Sequence, residues 1–255
     1  MSKFVDKLNK LSRISVAPIG FRAAKGKQEG SPMLIVADLT GMDIGSIGSM
    51  AGGDIDAGLI WEQDLKVRNL QRIIKAMEVI PFGMVIKEAT KERISKIASL
   101  GCDFVVFDMK ASAEALEGEG VGKFLMVEPS LDLGLVRAIN VLDTDGIFIN
   151  ITEMSFITVE HLLVCRRFSD MLNKPLIINL PSLINKTELG NLWKVGVDGV
   201  VIPPAQTMEA FARLKGMIDN LPRGVKRKRG SVVDVALPYY TGDIEVGEEE
   251  EGEEE

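Results

Sequence analysis

The chain has 255 residues, of which 46% are hydrophobic and 26% charged, and its formal net charge at pH 7 is −7. This length suffices for one large domain or two small ones with a substantial buried core. No window approaches the roughly 18 uninterrupted apolar residues of a membrane span, and the first residues lack the apolar core of a signal peptide. We therefore expect a cytoplasmic protein that does not enter a membrane.

The first predicted element is an amphipathic helix. Phe4, Leu8 and Leu11 share one helical face of KFVDKLNKLSR near the N-terminus. We expect this face to pack against one end of the domain that follows rather than on a membrane.

A repeated unit follows between residues 33 and 203. Each copy has a short apolar run rich in Val and Ile, a polar residue at its end, and usually a stretch with helical periodicity. Near-continuous apolar strands alternating with helices are typical of a parallel sheet covered on both faces. The eight predicted strands are MLIVAD from 33, DAGLIW from 56, PFGMVIK from 81, CDFVVFD from 102, KFLMVE from 123, DGIFIN from 145, KPLIINL from 174 and VDGVVIP from 197.

Apolar residues at i, i+3 and i+4 predict the intervening helices. Asn185 with Glu188 has the side chains of a capping box and marks the start of another helix. Two units are abbreviated, because a Gly-rich segment follows the first strand and ASAEALEGEG after the fourth allows only a short helix. The periodic stretches are 65–78, 90–100, 132–142, 158–172 and 207–218.

Four of the predicted strands begin at or beside an aspartate. These residues are Asp56, Asp103, Asp145 and Asp198. They mark the strand beginnings, so we assign them to stability and not to catalysis.

Cysteine and histidine usage restricts the chemistry. Cys102 and Cys165 lie in apolar surroundings and are predicted to be buried thiols rather than zinc ligands or a disulfide. His161 is the single histidine and lies in an amphipathic stretch, which predicts a helix-surface position. Nucleophile systems that need a histidine, and zinc sites that need several, are therefore not expected.

The negative charge is concentrated at the C-terminus. Residues 245–255, EVGEEEEGEEE, contain eight of the 37 acidic residues, which leaves 29 acidic against 30 basic residues elsewhere. Such a run repels itself, so we expect a disordered tail that solubilises the protein or binds a basic partner. The basic cluster RGVKRKRG at 223–230 has no interleaved aromatic residues, and we interpret it as a solvated linker, not a nucleic-acid site.

Eight such units resemble the (βα)₈ barrel of the aldolase-type, or TIM-barrel, superfamily. The α/β barrel is expected over 33–222, with a helix and lead-in at 1–32 that caps its bottom, and a basic linker and acidic tail at 223–255. A doubly wound open sheet is less favoured, because no G-x-G-x-x-G follows the first strand. A leucine-rich solenoid is disfavoured because its repeat signature is absent.

The resemblance implies an active site at the carboxyl ends of the strands. Strand alternation predicts that five polar residues there point inward above an apolar layer of Val85, Val106, Met126, Phe148 and Ile177. The candidate catalytic residues are Lys87, Asp108, Lys110 and Glu128, and the candidate substrate-binding residues are Asp38, Glu62, Asn150, Asn179, Ser182 and Gln206.

The lysines and carboxylates among these residues indicate which reactions the site could catalyse. Lys87 and Lys110 can supply positive charge or an amine, while Asp108 and Glu128 can act as acid and base or as ligands for Mg²⁺ or Mn²⁺. The alternative interpretation is that polar groups close a wet barrel mouth without any chemistry.

Comparison with particular barrel families narrows these roles. Class I aldolases carry their imine-forming lysine near the end of strand 6, where this chain has Asn150, so an imine would fall to Lys87 or Lys110. FDMKAS is similar to the Asp-x-Lys of orotidine-phosphate decarboxylase relatives, but their second aspartate is Ala113 here. The glycines of phosphate-binding barrels are replaced by LPSLIN and IPPAQT, although backbone amides near Gln206 could hold an anion.

Three functions follow as hypotheses. The first is a small-molecule enzyme of lyase or aldolase type that acts on an anionic carbonyl compound. The second is a non-catalytic barrel that serves in binding or assembly, and the third is a flavin-dependent oxidoreductase, which follows from the fold alone. The expected partner is a small anionic metabolite, and self-association into a homo-oligomer stays open.

Overall fold

Eight parallel strands close into a barrel in strand order 1 to 8. The structure is a computed structural model that describes residues 2–14, 31–50, 54–62, 67–77, 79–151 and 154–222. The barrel and its strand count are as the sequence predicts. The strands are β1 (Leu34–Asp38), β2 (Ala57–Trp61), β3 (Phe82–Ile86), β4 (Phe104–Asp108), β5 (Gly122–Val127), β6 (Gly146–Asn150), β7 (Leu176–Asn179) and β8 (Gly199–Ile202).

The structure describes eight α-helices, one before β1 and seven between or after the strands. The capping box predicted at Asn185 is present, because its side chain accepts the N–H of Glu188 and the Glu188 carboxylate accepts the N–H of Asn185. The helices are α1 (Lys3–Ile14), α2 (Ile44–Met50), α3 (Val67–Ala76), α4 (Lys91–Ser99), α5 (Leu133–Ala138), α6 (Val159–Met171), α7 (Lys186–Lys194) and α8 (Met208–Asp219).

The helical layer is thinnest beside β4 and β5. A single 3₁₀ turn, Ala113–Leu116, follows β4, and α5 after β5 has only six residues. An apolar groove of about 310 Å³ is left open here, and Leu135 on its wall is 56% exposed. The short helix predicted after the fourth strand is thus a 3₁₀ turn.

Side chains on the inward register fill the barrel. Val85, Val106, Phe148 and Ile177 are buried in one interior cluster, and the half-buried Met126 packs against it. This is the apolar layer that strand alternation predicts. The outward side chains of the strands pack beneath the helices in a second, larger cluster.

Helix α1 forms the floor of the barrel. Phe4, Leu8 and Leu11 are buried and belong to the interior cluster. The Phe4 ring stacks on Phe104 with 4.5 Å between ring centroids, and the Phe124 ring lies 5.6 Å away. The predicted capping role of this helix is confirmed, and its apolar face is not available to a membrane.

The aspartates at the strand beginnings act as clamps between neighbouring strands. At Asp56, Asp145 and Asp198 the carboxylate accepts the backbone N–H of the residue opposite on the preceding strand, at 3.0, 2.8 and 2.8 Å. The N–H of the same aspartate donates to the carbonyl of that residue, at 2.8, 2.7 and 2.8 Å respectively. These carboxylates accept hydrogen bonds from backbone N–H groups at the bottom of the barrel, which is the stabilising role expected of them.

Asp103, the fourth of these aspartates, differs. Its N–H donates to the Phe82 carbonyl at 2.8 Å, but its carboxylate accepts the Ser2 hydroxyl at 2.7 Å and the N–H groups of Lys3 and Phe4 at 2.8 and 2.9 Å. The carboxylate therefore caps the N-terminus of α1, where donors lack helical partners.

Both cysteines are buried, as predicted. Desolvation is the main cause that raises the pKa of Cys102 and of Cys165 to about 12, so the thiolate is disfavoured. In the described residues no helix is long and apolar enough to cross a membrane. The predicted linker and acidic tail at 223–255 lie outside the described residues.

Candidate functional site

The carboxyl ends of the strands hold one buried carboxyl group. Asp38 ends β1 on the inward register and is 7% exposed. Burial raises the pKa of this carboxyl above its ordinary value, and hydrogen bonds from Thr40 and the Trp61 side chain oppose the rise. A carboxyl with a raised pKa at the end of a barrel strand can keep a proton that an exposed one would lose.

Thr40 and Trp61 build the surroundings of Asp38. The Thr40 N–H donates to Asp38 Oδ1 at 2.9 Å, and the Thr40 hydroxyl oxygen accepts the Trp61 backbone N–H at 3.0 Å. Because the indole N–H is the only donor of a tryptophan side chain, it is the group that Trp61 offers to Asp38. The loop after β1 is thereby tied to the end of β2.

Trp61 also packs against the interior cluster and reaches towards β6. Its ring lies 6.1 Å from that of Phe148 on β6, with the two ring planes 74° apart. The tryptophan thus forms the upper surface of the apolar interior beneath the polar residues. Trp61 was not selected from the sequence, although alternation along β2 would have placed it inward.

An amide pair lies at the ends of β6 and β7. Asn179 Nδ2 donates to Asn150 Oδ1 at 2.8 Å, and the two residues are opposite each other in the sheet register. Asn179 is buried and Asn150 is half-buried. The pair fixes two predicted substrate-binding residues beside each other, with amide groups that can also bind a ligand.

The four candidate catalytic residues are more exposed. Asp108 is half-buried, whereas Lys87, Lys110 and Glu128 are exposed. Asp108 Oδ1 accepts the Lys110 backbone N–H at 2.9 Å, which folds the loop back over the strand end. None of the ion pairs found among the described residues includes any of these four side chains.

Glu62 is off the inward register, because Trp61 takes that position at the end of β2. Its carboxylate pairs with Arg93 of α4 and accepts the Lys87 backbone N–H at 3.2 Å. A ligand that bound Glu62 would have to compete with Arg93.

Ser182 and Gln206 are engaged in local contacts with nearby loop backbone. The Ser182 hydroxyl donates to the Ser155 carbonyl at 2.6 Å, and Gln206 Nε2 donates to the Pro204 carbonyl at 3.2 Å. The structure therefore joins two of the predicted substrate-binding residues, Asn150 and Asn179, by a hydrogen bond, whereas Ser182 and Gln206 bond to backbone carbonyls.

A cavity of about 520 Å³ adjoins the ends of β5 and β6. Two predicted residues, Glu128 and Asn150, line it together with Glu160, His161 and Arg167 of α6. His161 is half-buried at the first turn of α6, where its Nδ1 accepts the Thr158 N–H at 3.1 Å in a capping box. Arg167 was not selected from the sequence, since its position on α6 gives no sign of a cavity.

The acidic residues of the mouth do not gather into a metal centre. Within the described part of the chain no group of three or more His, Cys, Asp or Glu is arranged to hold a metal ion. Asp108 and Glu128 remain predicted ligands for Mg²⁺ or Mn²⁺, ions that proteins can hold through one or two carboxylates together with substrate oxygens and water.

Comparison with solved structures places the fold among TIM barrels. The chain is similar to a mutant of the tryptophan synthase alpha-subunit from the hyperthermophile Pyrococcus furiosus (TM-score 0.56, 14% identity, 74% of this chain and 97% of that one). Thiamine phosphate pyrophosphorylase from Pyrococcus furiosus is similar to the same degree (TM-score 0.56, 15% identity, 73% of this chain and 96% of that one). No family model and no curated protein matches the sequence. At these identities the similarity establishes the fold alone.

Proposed function

We propose that this protein is a cytoplasmic small-molecule enzyme of lyase or aldolase type that acts on an anionic carbonyl compound at the barrel mouth. The observation that carries the proposal is the set of polar residues at the carboxyl ends of the strands. It combines the buried Asp38, whose pKa is raised by burial, with four charged residues that make no ion pair among the described side chains. The two named proteins of the same fold are enzymes by their names, which agrees with the proposal.

The residues divide into two roles. Lys87 and Lys110 present exposed ammonium groups that attract an anionic substrate, and either could supply the amine for an imine. Asp38, Asp108 and Glu128 are the carboxyl groups available for proton transfer, and Asp38 is the one whose burial favours the protonated form. If Mg²⁺ or Mn²⁺ takes part, Asp108 and Glu128 would hold it, and the ion would stabilise negative charge that develops on the substrate.

The test is a borohydride trap combined with a turnover screen. The purified chain is incubated with a panel of small oxo acids and sugar phosphates, with and without borohydride, and analysed by mass spectrometry and for substrate loss. We expect turnover of at least one member, and either a reduced adduct on Lys87 or Lys110, or turnover that depends on the carboxyl groups. Lys87→Met and Asp108→Asn should each lower kcat/KM at least ~100-fold while the protein stays folded.

Lys96→Met is the matched control, because Lys96 is an exposed lysine on α4 away from the mouth. Absence of turnover across the panel, together with clear destabilisation by Asp108→Asn, would contradict the proposal. That outcome would favour a non-catalytic barrel in which the polar residues only complete the mouth.

A further inference from the structure

The cavity beside β5 and β6 contains a cation without a counter-ion among the described residues. Arg167 is half-buried on α6 and forms none of the ion pairs found in that part of the chain. One of its amino groups, Nη2, donates to the Pro129 carbonyl in the loop after β5. This bond holds the guanidinium at the wall that α6 and the β5 loop share.

The same guanidinium has an unmet hydrogen-bond donor. Arg167 Nε is buried and has no hydrogen-bond partner among the described residues. A buried donor without an acceptor is costly, and native proteins rarely leave one unsatisfied. Because Nε itself is closed to solvent, a ligand in the cavity would meet the guanidinium through its terminal amino groups, and the planar fork lets a carboxylate accept from two nitrogens at once.

The rest of the cavity restricts what else the ligand carries. Glu128 and Glu160 line it and are both exposed, and Asn150 presents its amide at the end of β6. Two carboxylates outnumber the single guanidinium, so the electrostatic repulsion of a ligand grows with its negative charge, and a dianion such as phosphate is disfavoured more than a single carboxylate. A ligand that has a carboxylate and also a hydroxyl or ammonium group can bind the guanidinium through the first and donate to the glutamates through the second.

We infer that this cavity is a substrate subsite in which Arg167 binds a carboxylate group, while Glu128 and Glu160 accept hydrogen bonds from donor groups elsewhere on the same small molecule. The inference rests on the proposed function and makes the anionic group of its substrate a carboxylate. Arg167 binds and orients this group, and Asn150 both lines the cavity and accepts a hydrogen bond from Asn179 at the end of β7.

The test compares ligand-induced thermal shifts of the full-length chain and two arginine variants. The probes are glycerate, lactate, serine and β-alanine, with acetate and inorganic phosphate for comparison. We expect at least one of the first four to raise Tm of the wild type more than acetate or phosphate does. Arg167→Gln should weaken that binding at least ~10-fold in a titration, and Arg167→Lys should restore only part of it.

Arg166→Gln serves as the control, because Arg166 is the neighbouring arginine on α6 and is already paired with Asp170 at 2.7 Å. Circular dichroism of each variant separates lost binding from lost folding, and an unfolded Arg167→Gln leaves Arg167→Lys as the deciding variant. Equal shifts in Arg167→Lys and wild type, no shift by any probe in the wild type, or stronger binding of phosphate would overturn the inference.

Turnover and ligand binding, measured on the two sets of variants, test the proposed function and this inference separately. If Lys87→Met and Asp108→Asn abolish turnover but the arginine variants bind the substrate as the wild type does, the subsite is wrong and the enzyme proposal stands. If a carboxylate binds through Arg167 but no turnover is found, the enzyme proposal fails and the cavity is a carboxylate-binding site for a ligand that is not a substrate.

Discussion

At the scale of single residues, Asp38 shows how a barrel mouth can hold a carboxyl group ready to give up or take a proton. Burial favours its neutral form, while the Thr40 and Trp61 donors favour its charged form. The net direction is a raised pKa, so the desolvation effect is the larger one. Such a group is costly to ionise, and its position at a strand end is where barrel enzymes place catalytic side chains.

Asp38→Asn should therefore make the protein more stable at neutral pH. Between the ordinary pKa of 3.8 and the raised folded value, the folded state keeps a proton that the unfolded state has lost, so stability falls as pH rises through this window. Above the window the full cost remains, and the asparagine avoids it while its carbonyl can still accept the Thr40 N–H. We expect a gain of about 0.5–2 kcal/mol, the usual range for a single stabilising substitution.

Urea unfolding at neutral and acid pH checks this prediction. The gain should be present near neutral pH, should shrink as pH falls through the window, and should be lost below it. A variant that is less stable than the wild type at neutral pH would show that the Asp38 hydrogen bonds outweigh its desolvation. If Asp38 is the acid of the proposed reaction, the stabilised variant should also lose turnover.

The sequence predicted which side chains of a strand point inward better than it predicted which residues of different strands touch. Alternation along β3 to β7 is enough to place Val85 under Lys87 or Phe148 under Asn150, since the period of a strand is two residues. The Trp61 to Phe148 contact could not be predicted, because it depends on how the barrel brings β2 close to the opposite strand β6. Arg167 was missed for a similar reason, since its surroundings depend on how α6 packs beside the β5 loop.

At the scale of elements, the floor helix and the aspartate clamps stabilise the end of the barrel opposite the candidate site. Helix α1 contributes aromatic packing, and the clamps satisfy backbone donors at the strand beginnings. The separation of stability from function at opposite ends is typical of this fold.

Phe4→Ala should destabilise the protein strongly. The ring is fully buried against Phe104 and Phe124, and truncating a buried phenylalanine costs about 3–5 kcal/mol. Thermal melts should show a fall in Tm of about 6 °C or more for a chain of this size. Lys10→Ala on the exposed side of the same helix is the control and should leave Tm nearly unchanged. Equal melting temperatures for Phe4→Ala and wild type would mean that α1 does not stay docked in solution.

Asp198→Ala should also lower stability, through a backbone effect. Asp198 is 2% exposed, and its carboxylate accepts the Leu176 N–H at 2.8 Å. Removing the carboxylate therefore leaves this buried N–H without an acceptor. Loss of such a partner costs about 1–3 kcal/mol. Asp198→Asn keeps an acceptor and should recover part of the loss, which urea midpoints of the two variants would show. An alanine variant as stable as the wild type would mean that water replaces the clamp.

At the scale of the whole molecule, the sequence concentrates acidic charge beyond the part of the chain that the structure describes as a barrel. The described barrel ends at residue 222, and the acidic run with its eight glutamates follows at 245–255. The sequence predicts a disordered tail here, so deleting 245–255 should leave Tm within about 1 °C. The net charge should move from −7 to about +1, so retention on an anion-exchange column at neutral pH should be lost. A marked fall in Tm would instead show that the tail contributes to the folded barrel.

The fourth aspartate has a consequence for how the floor helix is attached to this barrel. The three clamp carboxylates bind the opposite strand, whereas the Asp103 carboxylate binds Ser2, Lys3 and Phe4 at the start of α1. A chain without α1 would not leave this carboxylate stranded, because rotation of its side chain could return it to the N–H of Phe82, which lies opposite in the sheet as in the other three pairs. At this strand the polar contact with the floor helix is therefore replaceable by one side-chain rotation, whereas the apolar contact is not, because Phe104 would lose the Phe4 ring that stacks on it.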